Sequence, residues 1–137
     1  ESGKVKVTLE AQGYATESLE VEQSSKATIS KLTVTFTHAS SGAPGANTVT
    51  PDLTVSGAGT ATYDRVTRQR TGRNPYTYTI TYENVVFENV TKASEVTASY
   101  THQVTNNRGQ VTHECTLSGS ATLGALETHP TIQMTAQ

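Results

Sequence analysis

Between Lys31 and Thr37 the chain reads KLTVTFT, and this strict alternation restricts its fold more than any other feature. Successive side chains of a strand point to opposite faces, so Leu32, Val34 and Phe36 line one side and Thr33, Thr35 and Thr37 the other. KVKVTLE (4–10) repeats the pattern, with Val5, Val7 and Leu9 against Lys4, Lys6, Thr8 and Glu10. Its lysines suit the edge of a sheet. GTATYDRVT (59–67) and NPYTYTITYE (74–83) predict a hairpin whose apolar face carries Ala61, Tyr63, Tyr76, Tyr78, Ile80 and Tyr82. The connection between them, RQRTGR, is polar and basic and reads as an exposed loop.

The remaining stretches agree with a chain of strands. HASSGAPGAN (38–47) has no periodicity and reads as a loop, and Pro51 in TVTPDLTVS (48–56) marks an edge strand or a bulge, because proline donates nothing to a ladder. SLEVE within 14–31 alternates like a strand, although the surrounding TESLEVEQSSK also suits a helical turn or two. In NVVFENVTKASEV (84–96) apolar residues fall on both parities, which calls for a bulge or a turn at Glu83-Asn84 or Glu88-Asn89. Ile132 and Met134 mark a last short strand within 121–137. With 26 threonines and 13 valines among 137 residues, the composition favours a pleated surface over a helix.

Eight to ten short strands without β-α-β alternation predict a single all-β domain over 1–137. Its expected form is an antiparallel β-sandwich of Greek-key or jelly-roll type, with an up-and-down β-barrel as the alternative. A net charge of −2 disfavours nucleic acid, and no apolar run reaches the ~18 residues of a membrane helix. The single cysteine rules out an internal disulfide. Threonine-rich, lysine-poor, nearly cysteine-free composition points to the cell surface or beyond, while a start at Glu1 reads equally as a mature or a trimmed chain.

SEVTASYTHQVTNNRGQVTHECTLSG (94–119) predicts a second hairpin, folded about NNRG. If Thr105 faces Gln110, then Val104 meets Val111, His102 meets His113, Tyr100 meets Cys115 and Ala98 meets Leu117. A one-residue slip would oppose apolar with polar side chains throughout. In this register His102 and His113 are direct neighbours and Cys115 lies one pleat away. Two imidazoles and a thiolate so placed suit zinc or copper, with His38, His129 or water as a fourth ligand. Without a metal the two rings pack as neutral neighbours and the thiol as a small hydrophobe, and no other cofactor is expected.

Arg65, Arg68, Arg70 and Arg73 fall within nine residues and suit an anion or an acidic partner, or else a solvated hairpin tip. The tyrosines at 63, 76, 78 and 82 suit core volume better than a sugar platform, which usually employs tryptophan. Asn89-Val90-Thr91 is a glycosylation sequon. No nucleophile elbow, phosphate loop or facing carboxylate pair is present, so the expectation is a non-enzyme. The function expected is structural, adhesive or partner-binding, with other subunits as partners in a homo-oligomer or filament. In its specific form, residues 4–10 leave their own sheet and complete a neighbour's. The alternative is a carrier holding a small apolar ligand in a barrel cavity.

Overall fold

The alternation at 31–37 is the middle of a longer strand, β1 (Lys26–His38), in the computed structural model, which describes residues 26–39 and 42–136. Leu32, Val34, Phe36 and His38 are buried, and the threonines between them face the wetter side. Residues 4–10, and the part of 14–31 before Lys26, lie outside the described residues.

β1 pairs along its length with antiparallel β5 (Tyr76–Glu88), which sets Leu32 opposite Tyr82, Val34 opposite Ile80 and Phe36 opposite Tyr78. In β5 the buried residues change from Tyr78, Ile80 and Tyr82 to Val85 and Phe87 across Asn84, whose φ is 55°. β1 changes parity in step, between Ile29 and Leu32. Asparagine tolerates this left-handed conformation better than most residues, and its side chain is held by a bond to the Asp64 carboxylate at 3.0 Å. The strand then ends at Glu88, before a second left-handed residue, Asn89. Both positions left open by the apolar run 85–87 therefore carry a backbone device.

The other edge of β5 is taken by β3 (Thr60–Thr62) and β4 (Arg65–Gly72). The predicted hairpin forms, but most of RQRTGR is strand and not loop, with Arg68 opposite Ile80 and Gly72 opposite Tyr76. A long inner strand must have its backbone groups bonded on both sides, and an edge strand tolerates polar side chains.

The second sheet contains β2 (Asp52–Val55), β6 (Glu95–Thr105), β7 (Val111–Thr122) and β9 (Thr135–Ala136), in the order β2-β6-β7-β9. Between β7 and β9 the chain forms helix α1 (Leu123–Thr128) and strand β8 (Thr131–Gln133). β8 pairs with β1 in parallel, so the first sheet is mixed, which corrects the all-antiparallel expectation. The reason is α1, which alternation did not reveal: Thr122 caps it by accepting the Ala125 N–H, and Leu123 and Leu126 are buried beneath it. The helix turns the chain so that β8 enters in the direction of β1. Neither sheet closes, so the barrel is not formed. Among the described residues no helix is long and apolar enough to cross a membrane.

The hairpin of β6 and β7 forms with a register two residues from the predicted one: His102 faces Cys115, Val104 faces His113 and Tyr100 faces Leu117. The turn spans Asn106 to Gln110, with Gly109 at φ 78°, and Thr112 is an extra residue at a shift between Val104 and Thr105. Each device adds one residue of offset. Beyond the bulge the two-residue slip keeps side chains on their faces, while Val111, between turn and bulge, is turned outward opposite Thr105; the hydrophobic pattern settles sidedness and leaves register to the turn.

Apolar residues of both sheets meet in one cluster. Phe36 stacks on Tyr78 at 4.8 Å and on Tyr100, of the other sheet, at 6.3 Å. A strap of residues 42–51 connects β1 to β2 and takes three tyrosine hydroxyls on its carbonyls. Tyr78 donates to Pro44 at 2.6 Å, Tyr100 to Thr48 at 3.4 Å, and Tyr82 to Pro51. Tyrosine here fills the core while its hydroxyl reaches a partner. Burial raises the Tyr78 and Tyr82 hydroxyls above the usual tyrosine value, which keeps them protonated donors. Tyr82→Phe leaves the carbonyl of buried Pro51 without this donor and should cost roughly 1–3 kcal/mol in urea unfolding. A loss within error of zero would show that the bond carries no stability.

Candidate functional site

The inward parity of β1 ends at His38, that of β6 runs from Ala98 through Tyr100 to His102, and that of β7 runs from Leu117 through Cys115 to His113. The three imidazoles meet at one end of the layers, above the stack of Phe36 and Tyr100. Ring centres are 5.8 Å apart for His38 and His102, 5.6 Å for His38 and His113, and 6.0 Å for His102 and His113, all edge to face. The strap passes over them at Gly42. A Cβ there would lie 3.1 Å from the His113 ring and 3.2 Å from Val104, so glycine permits the close approach. The Gly42 carbonyl bonds Nε2 of His102. A carbonyl only accepts, so His102 donates from Nε2 and carries its lone pair on Nδ1.

His38 is 4% exposed, and its pKa lies below the usual histidine value. Burial is the main cause, followed by the charges that His102 and His113 acquire on protonation. The unfolded chain therefore takes up a proton at His38 before the folded one does. Stability from this site is complete above about pH 6.5 and is lost as pH falls through the lower folded value. The melting temperature of metal-free protein should fall between pH 7 and pH 5, and less so for His38→Gln. A flat profile in the parent chain would remove the electrostatic account.

Placement of the remaining candidates follows from the register. Cys115 faces His102 across the ladder and packs, half-buried, against the core. The direct pairing expected for His102 and His113 is replaced by a diagonal one, and His38 joins them instead. His129 is exposed at the end of α1, outside these ring contacts. Among the described residues no three His, Cys, Asp or Glu side chains already surround one metal-sized space. HASSGAPGAN has the composition of a loop from its first residue, yet His38 continues the even-numbered inward series of Leu32, Val34 and Phe36, and that parity is the signal for it.

The arginines lie on edge strand β4 and in the turn after it. Arg65 pairs with Glu83 at 3.1 Å, Arg68 donates to the Thr50 hydroxyl at 2.7 Å, and Arg70 donates to the Pro44 carbonyl at 3.2 Å while lying over the Tyr76 ring. Arg68 and Arg70 thus hold the strap, and Arg73 is exposed in the turn before β5. Tyr78 and Tyr82 are core, Tyr76 is half-buried, and Tyr63 is 42% exposed with its ring edge-on to Tyr82. Asn89 of the sequon is exposed in its turn. Val5, Val7 and Leu9 lie outside the described residues.

What this geometry defines is an all-β chain of two sheets, clasped by a tyrosine-bound strap, with three histidines at one end. Compared with known protein families, curated proteins and solved structures, the chain matches none.

Proposed function

We propose that the chain is a non-catalytic β-domain of the cell surface or extracellular space, laid out as a two-layer sandwich, with a structural, assembly or adhesive role. Its partners are other subunits, copies of itself included, joined by strand addition through residues 4–10. The observation that carries this reading is the outer edge of β1. Of its 13 residues, the described strands pair with this edge only at Thr33, Val34 and Thr35, through β8. Beside Thr28–Lys31 runs a groove of about 440 Å³, lined on its other side by Glu127 and Pro130. An edge of this kind offers backbone donors and acceptors to an incoming strand, and alternate apolar side chains such as Val5, Val7 and Leu9 provide the selectivity. Lys26 and Lys31 along the same edge discourage indiscriminate pairing.

Light scattering on the full chain and on one lacking residues 1–10 tests the proposal. Assembly should rise with concentration in the former and be absent in the latter. A monodisperse monomer at every concentration, or equal assembly of the truncated chain, would overturn it.

A further inference from the structure

We propose that His38, His102 and His113 together form a three-nitrogen site for a divalent transition metal of the zinc type, with Cys115 outside the ligand set. The argument begins with spacing. The three ring-centre distances, 5.8, 5.6 and 6.0 Å, make a nearly equilateral triangle. Dividing their mean by √3 places the common centre about 3.3 Å from each ring centre. A metal bound to imidazole lies ~2.0–2.1 Å from the nitrogen, and the nitrogen about 1.1 Å from the ring centre, which gives ~3.2 Å. That spacing suits an ion in the plane of the three centres; a tetrahedral ion needs ring centres ~5.2 Å apart, so the rings must close by roughly half an ångström.

Ring orientation must change as well. The axis from Cβ to Cγ runs nearly through the ring centre, so rotation about it moves the nitrogens and leaves the spacing almost unaltered. That torsion is broad for histidine. The spacing is set by backbone and register, which hold the three residues on three strands of two sheets.

The surroundings favour a metal as well. Ligand imidazoles must be neutral, and His38, 4% exposed beside the other two rings, sits where a bare charge is costly. A metal-bound histidine usually donates its other ring N–H to a carbonyl, which is what His102 does to Gly42. Among the described residues, the nearest carboxylate along these strands, Glu114, is exposed and accepts from Gln103 at 2.8 Å. Cys115 is set against the core, so the fourth position falls to water.

Titration of the metal-free full chain with Co²⁺, followed by visible absorption, tests the assignment. One equivalent should produce ligand-field bands of a four-coordinate nitrogen and oxygen site, with no thiolate charge-transfer band. Cys115→Ser should bind like the parent, and His38→Gln and His113→Gln roughly tenfold more weakly or worse. On the unaltered chain, Zn²⁺ should move the imidazole NMR signals of three histidines together and leave His129 in place, which covers a variant that fails to fold. A thiolate band, parental binding by His38→Gln, or a Zn²⁺ response that omits His38 or includes His129 would overturn the proposal. So would the absence of binding.

Discussion

Phe36→Ala is expected to lower the unfolding free energy by about 3–5 kcal/mol, near the top of the range for a single core substitution. Phe36 is wholly buried, and its ring lies between Tyr78 of its own sheet and Tyr100 of the other. Removing it takes out the piece that joins the layers. The cavity cannot collapse readily, because both neighbouring tyrosines are tied by their hydroxyls to strap carbonyls at Pro44 and Thr48. A wall that cannot relax leaves a larger void, and the penalty grows with void size. Phe36→Leu, which keeps most of the volume, should cost far less. Urea unfolding of the three chains measures this. A loss below about 1 kcal/mol for the alanine variant would mean that the two sheets do not depend on this contact.

Gly119→Ala should be comparably damaging for a different reason. A Cβ at this position of β7 would lie 2.2 Å from the Gln133 carbonyl oxygen and 3.1 Å from Cα of Met134. Those atoms are backbone, at the point where the chain passes from β8 in one sheet to β9 in the other. No rotamer change relieves the overlap, so the crossing itself must lift. That would unseat Met134, which is buried, and break the bond from its N–H to the Thr35 carbonyl. The expected cost reaches or exceeds the ~1–3 kcal/mol usual for overpacking. Hydrogen exchange should rise in residues 131–136 before it rises elsewhere. Gly45→Ala is the control: a Cβ there meets nothing within 4 Å, and the change should stay within about 0.5 kcal/mol. Equal behaviour of the two variants would contradict the close crossing.

Most of the strands were legible because period two is a property of neighbouring residues. KLTVTFT, the tyrosine face of β5 and the two arms about NNRG all declared their inward sides, and those sides hold except at Val111, which the bulge at Thr112 turns to solvent, 51% exposed. Helix α1 was not legible: two leucines and a threonine cap over six residues make too little pattern to stand out beside longer strands. The arginine stretch misled because polarity suggested a loop, whereas the need of β5 for a bonded neighbour made it a strand.

The histidines mark the boundary most clearly. Alternation places His102 and His113 on one face of their hairpin, and it places His38 in line with Phe36. It carries no information about an offset of two, so it paired His102 with His113, where the fold sets Cys115 opposite His102 and His113 opposite Val104. The triangle of rings exists because a bulge and a five-residue turn shift β7 against β6, while packing of one sheet on the other brings the end of β1 to them. Which face a side chain occupies is a local matter of backbone geometry, settled residue by residue along the chain. Which side chains then meet depends on loop closure and on the contact between layers, interactions among residues far apart in sequence that only the assembled fold specifies.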